Sequence, residues 1–85
     1  MSEEREREFL DARSLLCPMP VIRAGERIAE LEPGTELEVR ASDPGVLHDI
    51  PAWCRVNGHT VLEARDDGDE QVVVLRVGAD DDPSA

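Results

Sequence analysis

The sequence predicts a two-layer α/β (α+β) sandwich: a four-stranded mixed sheet with two helices on one face, in the order βαβαββ. Three observations carry this. Thr35 to Ala41 alternates, with Leu37, Val39 and Ala41 on one side and Glu36, Glu38 and Arg40 on the other, as a half-buried strand does. Val21, Ala24, Ile28 and Leu31 recur at helical spacing, with Arg23, Glu26, Arg27 and Glu30 outside them. Each helix then has one apolar stripe to bury, and a single sheet face is the economical place to bury both.

The elements follow in order. A first strand covers about Glu8 to Arg13, and a helix runs from Pro18 to Leu31. Gly25 inside that helix costs about 1 kcal/mol against Ala. Glu32-Pro33-Gly34 ends the helix in a turn. After the alternating strand, Ser42-Asp43-Pro44 opens a second helix, with Asp43 as N-cap and Pro44 at the first position. Pro51 is expected to kink that helix or to split it near Ile50. Asn57-Gly58 closes it, and His59 to Arg65 forms the third strand. Asp66-Asp67-Gly68-Asp69 is a hairpin turn leading to a fourth strand, Gln71 to Val77. The first strand–helix–strand unit is expected to be right-handed and its strands parallel.

Composition narrows the class. The 85 residues suit one small domain, here 9–78, flanked by a flexible charged N-terminus (1–8) and a flexible acidic tail (79–85). The formal net charge is −11, and all nine cations are Arg. Such a balance argues against a sequence-independent grip on nucleic acid, which needs basic patches. The missing Lys is as consistent with GC-rich coding as with a salt-adapted acidic surface. No apolar run has the length of a membrane span, and no apolar signal region opens the chain. Two cysteines far apart, with no C-x-x-C, do not make a disulfide framework. The expectation is a cytoplasmic protein carrying a free thiol.

That thiol is Cys17, in Leu16-Cys17-Pro18-Met19-Pro20, between the first strand and the first helix. A helix start leaves backbone N–H groups without intrahelical partners and carries partial positive charge, both of which favour a thiolate. Pro18 and Pro20 have no N–H, so the amides of Met19 and Val21 are expected to face the sulfur. Against this stands the plain reading of Cys17 as a small buried apolar residue, which the flanking prolines disfavour.

The chain resembles the TusA/SirA/YedF family of small sulfur-carrier proteins. The resemblance rests on Leu10-Asp11-Ala12, Leu16-Cys17-Pro18-Met19-Pro20, Pro33-Gly34, Ser42-Asp43-Pro44, Asp49-Ile50-Pro51-Ala52-Trp53-Cys54 and Asn57-Gly58-His59, and runs from about Phe9 to Val77. It implies that Cys17 holds a persulfide, taken from a cysteine desulfurase or a rhodanese-like donor and passed to an acceptor protein thiol. It further implies a relay protein rather than a stand-alone enzyme, serving tRNA thiolation, molybdenum-cofactor or sulfur-oxidation chemistry. No residue chooses among these pathways. One position departs: the family usually has glycine where Ser14 stands, which leaves the backbone angles of the loop open.

The remaining candidates are weighed against ordinary roles. Pro18, Met19, Pro20 and Asp11 support the motif. Asp11 either fixes the loop by accepting backbone N–H bonds or is a solvated strand residue. Arg13 and Arg23 are candidate contacts for an anion or a partner, although surface arginines whose stems cover apolar area are the simpler reading. Cys54, between Trp53 and Arg55, reads as a small core residue and Trp53 as an anchor. His48, His59 and the two cysteines lack the close spacing of zinc ligands, so neither a metal nor any other cofactor is expected. A monomer that forms transient complexes is the simplest state. The alternative function is a protein- or RNA-interaction or regulatory module of the same fold with an incidental cysteine. The absence of a basic stripe and an aromatic content of 2% disfavour it. A thiol oxidoreductase would want a resolving cysteine near the first.

Overall fold

The structure is a computed structural model that describes residues 7–16 and 18–78. The expected flexible ends, over 1–6 and 79–85, lie outside the described residues, and so does Cys17. The elements are β1 (Glu8–Ala12), α1 (Met19–Ile28), β2 (Glu36–Ala41), α2 (Val46–Asn57), β3 (Thr60–Asp66) and β4 (Gln71–Arg76). The sheet order is β1-β2-β4-β3. β1 pairs parallel with β2, and the other two pairings are antiparallel, so the sheet is mixed as the sequence predicts.

The helix-covered face holds the core. Leu37, Val39 and Ala41 from β2, Val73 and Leu75 from β4, and Ala12 from β1 meet Ala24 and Ile28 of α1 and Val46, Ile50 and Cys54 of α2. The alternation read from the sequence is thus the inward face of β2. The opposite face is less simple. Val72 and Val74 are also buried, although no helix lies over them. Their register partners are charged: Arg40 and Arg65 flank Val72, and Glu38 and Glu63 flank Val74. These long side chains pair with one another over the valines. Arg40 Nε lies 2.7 Å from Glu38 Oε2, Arg40 Nη1 lies 3.3 Å from Glu70 Oε1, and Arg65 pairs with both Glu63 and Asp67. Arg7 extends the row to Glu36 at 3.0 Å. Charged stems cover apolar surface here while their heads stay in contact with water.

Three expectations about the helices are corrected. Of the kink or split expected at Pro51, the split is absent: α2 runs unbroken from Val46 to Asn57. One helical hydrogen bond is lost at Pro51, at a cost of about 3 kcal/mol. Burial of Val46, Ile50 and Cys54 on either side of the proline offsets it. Gly25 is not a mere flaw in α1. A Cβ there would sit 3.1 Å from Trp53 Cζ2, so the glycine is what lets the two helices approach across the indole. α1 is also shorter than expected, with Pro18 at the N-cap and Pro20 buried inside the first turn. Gly58 ends α2 at φ 84°, and the amides of Gly58 and His59 both donate to the Cys54 carbonyl.

Candidate functional site

The strand-to-helix loop from Arg13 to Pro18 delivers Cys17, and it is held amide by amide. The Arg13 N–H donates to Asp11 Oδ1 at 3.1 Å. The Ser14 N–H donates to Ser42 Oγ at 3.0 Å, across 28 positions of sequence. The Leu15 N–H donates to the Ala12 carbonyl at 3.2 Å, closing a turn. Ser14, third in that turn, adopts φ 76°, the left-handed region that a non-glycine residue enters at a cost of roughly 1–2 kcal/mol. This is the position where the resembling family usually has glycine, and the backbone angle supplies the reason.

Asp11 therefore fixes the loop, the first of the two roles the sequence allows it. Its carboxylate also binds the Arg13 guanidinium at 2.9 and 3.0 Å. The Arg13 hydrogen bonds hold the Asp11 carboxyl well below the usual carboxylate range, at about 2. Arg13 Nη1 in turn lies 4.0 Å from Glu70. Arg13 is thus engaged from two sides, with about half of its side chain still exposed. Arg23 is exposed on α1, with no ion pair to another described residue.

On the far side of residue 17 the amide expectation is corrected. The Met19 N–H donates to the Leu16 carbonyl at 2.8 Å, and the Val21 and Ile22 amides both donate to the Pro18 carbonyl at 3.1 and 3.2 Å. The two amides expected to be unpaired are spent on the first turn. The helix charge remains, with no acidic residue in the first turn of α1 to oppose it. The described neighbours of Cys17 are exposed: Leu16 at 76%, Met19 at 36% and Ile22 at 45%, with Pro18 beside them.

The other candidates separate cleanly. Cys54 is fully buried in the core, and burial pushes its thiol up to about 11, so it stays protonated and inert. His59 stacks on Trp53 (ring centroids 5.4 Å apart, planes 18° apart), and its Nδ1 accepts the Gly78 N–H at 2.9 Å. His48 is exposed on α2. Among the described residues no three His, Cys, Asp or Glu side chains gather as a metal site, and no helix is long and apolar enough to cross a membrane. Sequence reasoning missed Ser42 and Glu70. Ser42 stood in a quoted motif, but only its neighbour Asp43 was given a task; nothing local marks Glu70 as a partner of Arg13.

A two-layer α+β fold whose chain carries a Cys-Pro-Met-Pro motif between its first strand and first helix, with Leu16, Pro18 and Met19 exposed, defines a narrow class of small proteins. The family described as Sulfurtransferase TusA matches residues 8–77, and the chain belongs to that family. The chain is 48% identical over 62 residues to YrkI of Bacillus subtilis, covering 73% of this chain and 83% of that one. It is 37% identical over 72 residues to the sulfur carrier protein TusA of Pseudomonas aeruginosa, covering 85% and 91%. The crystal structure of a SirA-like protein from Desulfitobacterium hafniense superposes with a TM-score of 0.72 at 28% identity, covering 82% of this chain and 96% of that one.

Proposed function

We propose that this chain is a sulfur carrier that accepts sulfane sulfur as a persulfide on Cys17 and relays it to the thiol of an acceptor protein. The observation that carries the reading is the family match over residues 8–77, which contains the Cys-Pro-Met-Pro loop and the residues that hold it. The chemistry balances without an oxidant or a cofactor. The Cys17 thiolate attacks the outer sulfur of a donor persulfide; a new S–S bond forms to Cys17, the donor's S–S bond breaks, and the donor leaves as a thiolate. In the second half the acceptor thiolate attacks that same outer sulfur, and Cys17 departs as a thiolate. Each half needs an exposed sulfur and a stabilised anion. The exposed rim of Leu16, Pro18 and Met19 and the positive end of α1 supply those conditions around position 17.

The donor is a protein of the cysteine desulfurase or rhodanese kind, and both partners dock transiently on a cytoplasmic monomer. Pro18, Met19, Pro20 and Asp11 shape the loop, and Arg13 and Arg23 are the arginines near it that can meet an anion or a partner's acidic group. A nucleic-acid module is not favoured: on the open sheet face Arg7, Arg40 and Arg65 are already paired with carboxylates.

The test is direct. Incubated with a cysteine desulfurase and cysteine, or with a rhodanese and thiosulfate, the protein should gain the mass of one sulfur. Cys17→Ser should abolish the gain, and Cys54→Ala should retain it. A wild-type chain left unmodified by both donors would overturn the reading.

A further inference from the structure

We propose that Ser42 is a positioning residue for the Cys17 loop, an inference that rests on the function proposed above. Three acceptors hold the amides of Arg13, Ser14 and Leu15 on the way to Cys17, but they are not equivalent. Asp11 Oδ1 and the Ala12 carbonyl belong to the same strand end as the loop, two and three residues back. They set its local shape without tying it to anything else. Ser42 Oγ comes from the end of β2. The preceding residue, Ala41, is fully buried and lies in register with Ala12 on one side and Gln71 on the other. Ser42 therefore stands on a backbone fixed by two strand pairings, and its hydroxyl carries that rigidity to Ser14.

The bond falls on the residue that needs it. Ser14 lies in the left-handed region without a glycine's freedom, so the turn would relax to commoner angles unless something external held it. Relaxation at Ser14 swings the chain three residues before the sulfur. In group transfer a displacement of about 1 Å from the productive geometry costs up to about 100-fold in rate, so a modest loosening is measurable. The Ser14–Ser42 bond is exposed to solvent, and its loss should leave global stability little changed while the loop loses its fixed shape.

The experiment uses the full chain with Ser42→Ala and Ser42→Thr, the latter keeping the hydroxyl. The first readout is the second-order rate of Cys17 alkylation by iodoacetamide, followed by intact mass and assigned by peptide mapping. The second is the rate of sulfur loading from a rhodanese with thiosulfate. Ser42→Ala should slow both by about three- to tenfold, Ser42→Thr should stay within about twofold of wild type, and the thermal midpoint should be unchanged in both. Rates for Ser42→Ala equal to or above wild type overturn the proposal. So does a loss shared by Ser42→Thr, or one that tracks a fall in the thermal midpoint. If the wild-type chain loads no sulfur, the carrier reading fails by itself, and the alkylation rates still decide the role of Ser42.

Discussion

Two strand-to-helix junctions leave the same end of the sheet, one after β1 and one after β2, and they are built on opposite terms. The second is short, and its turn is closed by its own residues, while Ser42 at its start also serves the first. Asp43 Oδ1 accepts the Gly45 N–H at 2.9 Å, the Asp43 carbonyl accepts the Val46 N–H at 3.1 Å, and Val46 is already buried. The first is longer and includes a strained non-glycine residue. Its amides are held by groups from outside the loop, and it leaves Leu16, Met19 and Ile22 facing water. One junction folds its residues into the core; the other leaves apolar residues exposed on either side of residue 17. A loop left exposed cannot draw rigidity from burial, and here the Ser14 amide draws it from a hydrogen bond to Ser42, at the end of a paired strand.

The comparison can be tested at several strengths. The largest effect belongs to the anchor of the buried junction. Ile50→Ala in α2 should cost about 2–5 kcal/mol, whereas Ile22→Ala, in the exposed first turn of α1, should cost below about 1 kcal/mol; urea unfolding checks both. Similar losses for the two would break the contrast. Next comes the self-contained turn. Asp43→Ala should cost about 1 kcal/mol by chemical denaturation, since it removes the side-chain acceptor for the Gly45 amide.

The smallest effect is set by pH. Burial lowers the His59 pKa, and its neutral Nδ1 accepts the Gly78 N–H. The unfolded chain takes up a proton near the ordinary histidine value of 6.5 while the folded ring still resists it. Stability present above that pH is therefore lost progressively as pH falls through 6.5 toward the lower folded value. Denaturation midpoints at about pH 8 and 5.5 should differ in that direction, and His59→Asn should reduce the slope. The Asp11–Arg13 clamp adds nothing in this window. Its carboxyl titrates near 2, so its contribution is lost only in strong acid, as pH falls from the ordinary carboxylate range toward that value.

Much of this architecture was legible along the chain. The inward faces of β2 and α1 follow from period-2 and period-3.6 patterns, because burial of one face leaves a local trace. The hairpin at Asp66 to Gly68 and the end of α2 at Gly58 were legible for the same reason, as turn chemistry is local. The continuity of α2 through Pro51 was not. A proline's local preference is a fixed cost, and whether it breaks a helix depends on what the flanking residues bury. Gly25 was misread in the same way, since its neighbour is Trp53 of the other helix.

The site divides along the same line. That the cysteine at position 17 lies at a strand-to-helix boundary, and that the one at position 54 belongs to the core, follows from the sequence alone, because each depends on residues within a few positions. The tertiary structure decided the rest. It gave Arg13 two carboxylate neighbours, Asp11 and Glu70, and it used up the Met19 and Val21 amides. It also brought the Ser42 hydroxyl to a left-handed Ser14. These are meetings of groups up to tens of residues apart, fixed by strand register and helix packing. A pattern of neighbours along a chain records what each segment prefers, and contacts between segments are settled only when the sheet assembles.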